Sequence, residues 1–154
     1  KWYGSKYKRS GGAKNVDPEE FKVYKYDIGT YTSYLLNSKT ELDGENKYDK
    51  GNINTGVMTD HYSTYHGDHT DLCSYEFSGN KYNCLMIGDS NTFAVRKLIA
   101  SHFSKLYYID KYVLSNYNID SFIEENDIDL VLFLGQLDLF ENMDYVLQGY
   151  PVAD

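Results

Sequence analysis

The sequence is short of positive charge and of long apolar runs, and both shortages argue against whole classes of protein. It has 15 lysines and arginines against 23 aspartates and glutamates, so its formal net charge is −8 at pH 7. Phosphate binding needs a basic face, and this balance argues against a nucleic-acid partner. No apolar run approaches the roughly 20 residues of a membrane-spanning helix, so no membrane span is expected in this chain.

A secretory signal peptide and an initial methionine are also missing, since the sequence opens "KWYGSKYKRSGGAK". We interpret this basic start, residues 1–20, as an arm or linker, and the chain as processed or as a fragment of a longer protein. With 154 residues, 42% of them hydrophobic, the chain can bury the core of one domain. The expected organisation is a single domain over 1–154, with short strands and polar loops in 21–81 and an α/β core in 82–154.

Only two cysteines occur, Cys73 and Cys84, and they lie symmetrically about Ser78-Gly79 in "CSYEFSGNKYNC". A hairpin at that point would place them opposite each other. A cross-strand disulfide is then one possibility, although its geometry is demanding, and two free, half-buried thiols are the other.

Tyrosine, by contrast, is abundant, with 17 residues. Tyrosine-rich surfaces can stack on sugars, but tyrosine also fills ordinary strands and cores. Composition leaves both interpretations open.

The second half of the chain alternates apolar runs with helical spacing. "CLMIG" is a short, wholly apolar run of the kind that a strand covered on both faces needs, and "KLYYID" and "DLVLFLG" predict a second and a third buried strand. Helical segments follow each run, through Val95, Leu98, Ile99, His102 and Phe103, then "NIDSFIEEN", then "QLDLFENMDYVLQGYP". Such alternation predicts an α/β fold: a flavodoxin-like, three-layer parallel sheet in strand order 2-1-3, with a β-rich or irregular N-terminal part.

Ser90 follows the first of these strands directly, in "NCLMIGDSNTF". Ligands bind beyond the carboxyl ends of parallel strands, and the free N–H groups of a helix start favour developing negative charge. Ser90 is therefore a candidate nucleophile. The alternative is that Ser90 or Asn91 simply caps the helix.

Two stretches, "LMIGDSNTFAVRKLIASHFSKLYYIDKY" and "NIDSFIEENDIDLVLFLG", resemble the SGNH-hydrolase superfamily, with Gly88-Asp89-Ser90 as its first block. The closest similarity is to the DHHW-type branch related to alginate O-acetyltransferases, and it spans about Tyr62 to Phe140. The resemblance implies an SGNH-like fold, Ser90 as nucleophile, and acyl transfer, commonly of acetyl esters on extracytoplasmic polysaccharide.

The sequence departs from the family pattern at two places. The later Gly-x-Asn-Asp block is Gly135-Gln136-Leu137-Asp138 here, so leucine replaces an oxyanion-binding asparagine. Asn91 and Gln136 are the candidate oxyanion or substrate-binding residues. No histidine follows His102, and no Asp-x-His or Asp-His-His-Trp segment precedes the serine.

The base that activates Ser90 must therefore come from one of two places. His61, His66 or His69, with Asp68 or the neighbouring Asp60 or Asp71, could fold over Ser90 from the polar loop. Alternatively, the partners lie on an N-terminal portion of the same protein. The spacing of these histidines and aspartates fits no metal-ligand pattern, so no metal is expected, and no cofactor either.

The expected function is that of an SGNH-like serine acyl-transfer domain, incomplete in this chain. It would be an O-acetyl esterase or O-acetyltransferase, and its partners an acetylated carbohydrate or an acyl donor. The expected location is extracellular or at the cell surface. The alternative is a catalytically silent SGNH-like domain that binds a glycan or a protein partner.

Overall fold

The computed structural model describes Glu20 and residues 27–36, 40–41 and 72–136. The chain separates into two compact units, Lys1–Asp27 with Gly44–His69 and Ile28–Asp43 with Thr70–Asp154. Nearly all described residues belong to the second unit, which carries the sheet. The expectation of a single domain over 1–154 stays a prediction.

The described part of the second unit contains six strands in one sheet and four short helices. The strands are β1 (Tyr31–Leu35), β2 (Thr40–Glu41), β3 (Leu72–Phe77), β4 (Asn83–Gly88), β5 (Lys105–Asp110) and β6 (Leu130–Leu134). The helices are a 3-10 helix (Ser90–Ala94), α1 (Arg96–Ala100), a second 3-10 helix (Leu114–Asn116) and α2 (Ile119–Glu125). None of the described helices is long and apolar enough to cross a membrane.

The sheet is mixed, with strand order β2-β1-β3-β5-β4-β6. β4 pairs in parallel with β5 on one side and with β6 on the other. This confirms the predicted 2-1-3 order of the three apolar runs. β3 pairs antiparallel with β5, and β1 antiparallel with β3, so the β-rich N-terminal part extends the sheet beyond the parallel strands.

The two faces of the parallel strands are covered by different helices. Leu85, Ile87, Tyr107 and Ile109 form one cluster with Leu72 and Leu114, and Phe122 and Ile123 of α2 pack against it. Met86 and Tyr108 point to the opposite face by the alternation of a strand, and there Phe93 of the first 3-10 helix meets the Tyr108 ring at 5.8 Å. The flavodoxin-like, three-layer arrangement itself stays a prediction, because its third helix, from residue 137 onward, lies outside the described residues.

The helix after β4 differs from its prediction in length and in face. It begins as a 3-10 helix, and α1 is only five residues long, so His102 and Phe103 lie beyond its end. Leu98, predicted to face the core, is 44% exposed, whereas Arg96 is 1% exposed and Ala100 is fully buried. The face of α1 that meets the sheet is therefore the one that carries Arg96 and Ala100.

β6 is less buried than its apolar sequence predicts. Leu130 is 47% exposed, and the remaining residues of the strand are half-buried. Among the described strands β6 lies at the edge of the sheet, so that only one flank is paired.

The hairpin that would have placed the two cysteines opposite each other does not form. The chain does turn at Ser78-Gly79, where Gly79 has a φ of 96° that favours glycine, but β5 lies between β3 and β4. Neighbouring strands are about 4.8 Å apart, so two strands that flank a third are too far apart for a disulfide. Neither cysteine forms a disulfide, both are fully buried, and burial raises the pKa of the Cys84 thiol to about 11.

Candidate active site

Ser90 lies at the carboxyl edge of the parallel strands, as predicted. β4 ends at Gly88, whose register partners are Asp110 at the end of β5 and Leu134 at the end of β6. Ser90 follows two residues later as the first residue of the 3-10 helix, and it is half-buried. The strand order reverses at β4, so this edge is also the point where open α/β sheets bind ligands.

Gly88 permits the tight passage from β4 into the helix. A Cβ atom at this position would lie 2.6 Å from Cγ2 of Thr92 and 2.7 Å from the backbone oxygen of Leu134. The second of these atoms belongs to β6 and cannot turn away. Only glycine therefore lets β6 approach the strand end that presents Ser90.

The helix is capped by Asp89, not by Ser90 or Asn91. The Asp89 side chain has the N-cap position and accepts a hydrogen bond from the Asn91 backbone N–H at 2.8 Å. The alternative role proposed from sequence for Ser90, that of a simple cap, therefore belongs to its neighbour.

The Asp89 carboxylate also joins two distant parts of the chain. Its Oδ2 accepts a 2.7 Å hydrogen bond from the Gln136 backbone N–H, 47 residues away, and its Oδ1 accepts a second bond from the Asn91 side-chain amide at 3.0 Å. Burial alone would raise the pKa of this carboxyl, but these bonds and the nearby charge of Lys111 outweigh it and hold the pKa below its usual range. Asp89 is therefore an anion at neutral pH.

The two predicted oxyanion residues, Asn91 and Gln136, meet at this carboxylate. The backbone N–H groups of both donate to Asp89. The side-chain amide of Asn91 has two N–H groups. One of them donates to Asp89, and this hydrogen bond fixes the direction in which the other N–H group points. The Gln136 side chain belongs to an exposed residue. Their roles as oxyanion donors stay predictions, and Leu137 lies outside the described residues.

A network of buried hydrogen bonds stabilises the carboxyl edge of the parallel strands, and the sequence analysis did not predict it. The Asp89 carbonyl oxygen accepts hydrogen bonds from Thr92 Oγ1 at 2.7 Å and from the Tyr108 hydroxyl at 3.1 Å. The Tyr108 hydroxyl also lies 3.2 Å from Oδ2 of Asp110, which is buried. Burial raises the pKa of Tyr108 far above its ordinary value, and the Asp110 charge adds to the rise, so the phenol remains a donor. The signal in the sequence was the spacing of Tyr108 and Asp110, which places both on one face of β5.

Arg96 is the second feature that sequence reasoning missed. Its guanidinium lies 4.4 Å from the ring centroid of Phe93, 5.1 Å from that of Tyr108 and 5.7 Å from that of Tyr75. A guanidinium stacks on aromatic faces and is less strongly hydrated than an ammonium, so it tolerates this burial. No pattern of apolar spacing could have assigned a charged residue to the core.

The predicted base and its carboxylate, from His61, His66, His69 and Asp68, lie outside the described residues, as does the whole segment 60–71 expected near Ser90. Of the four histidines, only His102 is described. It precedes β5, so it lies toward the amino ends of the parallel strands, away from Ser90. Among the described residues, no group of histidine, cysteine and acidic side chains could hold a metal ion.

Comparison with known proteins gives a structural likeness. No family model and no curated protein matches the sequence. The chain is similar to PatB1 of Bacillus cereus, with a TM-score of 0.53 and 17% identity to the form with a sulfonyl adduct, and 0.51 and 19% to PatB1 itself. A DHHW family protein from Eubacterium siraeum has a TM-score of 0.47 and 18% identity.

Each of these matches covers 69% of this chain and 34% or 35% of the matched one, so the chain spans about a third of the length of these structures. The likeness to PatB1 shows a shared mixed α/β fold. It agrees with the predicted resemblance at that level.

Proposed function

We propose that Ser90 is the nucleophile of an SGNH-like acyl-transfer site, an O-acetyl esterase or O-acetyltransferase. The observation that carries the proposal is that Asp89, not Ser90, caps the helix at the end of β4. The neighbouring Ser90 therefore lies at the carboxyl edge of the sheet without being needed as the cap. The resemblance of "GDS" and the following core to the superfamily supports the same role. So does the fold shared with PatB1, one structure of which contains a sulfonyl adduct.

The proposed reaction has two steps. Ser90 Oγ attacks the carbonyl carbon of an acetyl ester, a base takes the hydroxyl proton, and the leaving alcohol receives a proton as its C–O bond breaks. Water or a sugar hydroxyl then attacks the acetyl-serine, which gives hydrolysis or transfer. The negative oxygen of each tetrahedral intermediate faces the start of the 3-10 helix, where we assign stabilisation to the second Asn91 amide N–H bond.

We assign the base to one of the two sources that the sequence analysis keeps open. It is a histidine of the segment 60–71, with Asp68 as its carboxylate partner, or it belongs to an N-terminal portion of the same protein with an Asp-x-His segment. The substrate is an acetylated polysaccharide at the cell surface or outside the cell. The chemistry proposed requires no cofactor.

A catalytically silent domain that binds a glycan or protein is the second candidate. Leucine at position 137, where the superfamily has an oxyanion-binding asparagine, favours it. Loss of one such donor costs on the order of 10²–10³ in rate.

The test uses the longest natural chain that contains this sequence and an upstream Asp-x-His segment. We expect it to hydrolyse p-nitrophenyl acetate and to take up one sulfonyl group from phenylmethanesulfonyl fluoride, located on Ser90 by mass spectrometry. Ser90→Ala should remove both. Ser115→Ala is the matched control, because Ser115 is an exposed serine of the second 3-10 helix. Equal hydrolysis and labelling with and without Ser90 would contradict acyl transfer and leave the silent domain.

A further inference from the structure

Tyr112 is the most exposed of the large hydrophobic residues that the structure describes, with 80% of its surface accessible. It lies in the turn directly after β5. An aromatic ring so exposed gains nothing from the core, and its hydroxyl is not needed to satisfy a buried partner. Its position on the molecule therefore decides what it can do.

The turn that carries Tyr112 is held firmly against the candidate site. The Tyr112 backbone N–H donates to Oδ1 of Asp110 at 3.0 Å, and the Lys111 N–H donates to the Gly88 carbonyl at 2.8 Å. Gly88 and Asp110 are register partners, Ser90 lies two residues after the first and Tyr112 two residues after the second. Chain reach then keeps the Cα atoms of Ser90 and Tyr112 within about 19 Å of each other.

Lys111 places its ammonium group over one face of the Tyr112 ring. Its Nζ lies 5.4 Å from the Tyr112 ring centroid, and its charge is close enough to Asp89 to lower the pKa of that carboxyl. The pair thus combines the other, accessible face of the Tyr112 ring with an N–H donor on the side of Ser90. This is what a pyranose needs, since its C–H face packs on a ring and its hydroxyls accept hydrogen bonds at the edge.

We propose that Tyr112, with Lys111, is the platform on which a neutral oligosaccharide stacks next to Ser90. The net charge of −8 disfavours a polyanionic chain of uronic acids, and the same charge disfavours the stacking of nucleic-acid bases. The role in catalysis rests on the proposed function, but the binding itself does not. Tyr112 would then determine which acceptor or acetylated sugar reaches the serine.

A second lysine–tyrosine pair in this chain provides the control. Lys81 and Tyr82 are also adjacent, the Lys81 Nζ lies 5.2 Å from the Tyr82 ring centroid, and Tyr82 is 52% exposed. This pair precedes β4 and lies at the amino edge of the parallel strands, opposite Ser90. The two pairs have the same residue types and similar distances between ammonium and ring, but they lie at opposite edges of the parallel strands.

The first measurement titrates the 154-residue chain with cellotetraose and follows its ¹H–¹⁵N NMR spectrum. We expect the shifts to concentrate at Lys111, Tyr112 and Asn91, and tetragalacturonate to bind at least tenfold more weakly. Tyr112→Ala should weaken cellotetraose binding roughly tenfold, Tyr112→Phe should retain it within about twofold, and Tyr82→Ala should leave it unchanged. No binding, shifts centred on Tyr82, or equal effects of Tyr112→Ala and Tyr82→Ala would overturn the proposal.

The second measurement separates this proposal from the proposed function. In the longer chain, Tyr112→Ala should raise KM for acetylated cellotetraose about tenfold, with kcat within about threefold. If Ser90→Ala leaves hydrolysis intact while Tyr112 still binds the sugar, acyl transfer fails and the platform stands. If Ser90 is essential while Tyr112→Ala leaves KM unchanged, the platform fails and acyl transfer stands.

Discussion

Asp89 shows most clearly, at the scale of single residues, how this edge of the sheet is held. One buried carboxylate accepts the Asn91 backbone N–H, the Asn91 side-chain amide and the Gln136 backbone N–H. Asp89→Asn keeps the size of the side chain but turns one acceptor into a donor that faces another donor. We expect it to lower the free energy of unfolding by about 1–3 kcal/mol, the cost of leaving a buried polar group unsatisfied.

The pH dependence of this loss in the free energy of unfolding tests whether the ionised Asp89 carboxylate is its cause. The pKa of Asp89 is lower in the folded state than its ordinary value of about 3.9, so its contribution to stability is complete above that value and disappears as pH falls through the folded-state pKa. Chemical unfolding at pH 7 and at about pH 3 should therefore show a gap between the native protein and Asp89→Asn that shrinks at the lower pH. Asp120→Asn, at an exposed site on α2, is the control. A gap that stays constant with pH would contradict the assignment.

Single residues also show where sequence reasoning reached its limit. The place of Ser90 was predictable, because a buried apolar run followed by Gly-Asp-Ser indicates a strand end at a helix start. The bond from Gln136 to Asp89 was not, since it joins residues that become neighbours only when β6 pairs with β4. The Tyr108–Asp110 pair was readable in principle from its spacing of two along β5. The burial of Arg96 had no signal in the sequence.

At the scale of secondary-structure elements, the sequence predicted which segments form strands better than it predicted which face of a helix is buried. The three apolar runs became β4, β5 and β6 in the predicted order. A short run of apolar residues indicates a buried strand even when its neighbours in the sheet are not known. α1 was assigned the wrong face. Five residues make little more than one helical turn, which is too short for a periodic pattern to define a face.

The inverted face of α1 gives a prediction that apolar spacing alone would contradict. Arg96→Ala removes a guanidinium that contacts three buried aromatic rings, so we expect it to lower the free energy of unfolding by roughly 2–4 kcal/mol. Leu98→Ala, in the same helix but 44% exposed, should cost less than about 1 kcal/mol. Urea unfolding of both variants tests this. A larger loss for Leu98→Ala than for Arg96→Ala would restore the face predicted from sequence.

Arg96→Lys and Arg96→Met separate charge from packing at the same position. Lysine keeps the charge but loses the planar group that stacks on Phe93 and Tyr108, so it should rescue little. Methionine keeps much of the volume without the charge. Stability closer to the native protein for methionine than for lysine would show that the stacked surface, rather than the charge, holds α1 to the sheet.

At the scale of the whole molecule, the parallel and antiparallel parts of the sheet separate two tasks. β4, β5 and β6 run in parallel and bring three carboxyl ends to one edge, where Ser90, Asp89 and Gln136 lie. β1 and β3 extend the sheet through antiparallel pairing on the far side of β5. The sequence predicted the first part from its buried runs, whereas the insertion of β5 between β3 and β4 depends on a pairing of distant segments that no local pattern records.

The whole molecule also decides whether Ser90 can react, because a serine hydroxyl at neutral pH is a weak nucleophile until a base takes its proton. General-base assistance contributes typically 10²–10⁴-fold. The histidine described, His102, precedes β5 and lies away from Ser90. If the base belongs to an N-terminal portion of the same protein, we expect the 154-residue chain to hydrolyse p-nitrophenyl acetate no faster than its Ser90→Ala variant, and a longer chain with an Asp-x-His segment to exceed its own Ser90→Ala variant at least 10²-fold.

A variant with His61, His66 and His69 all changed to glutamine completes the comparison. If the 154-residue chain is as inactive as expected, this variant should match it within error, and the base belongs to the longer chain. Fast hydrolysis by the 154-residue chain that is lost both in Ser90→Ala and in the triple variant would show the expectation to be wrong. It would assign the base to the segment 60–71, and single substitutions would then identify the histidine, since only one imidazole can accept the Ser90 proton.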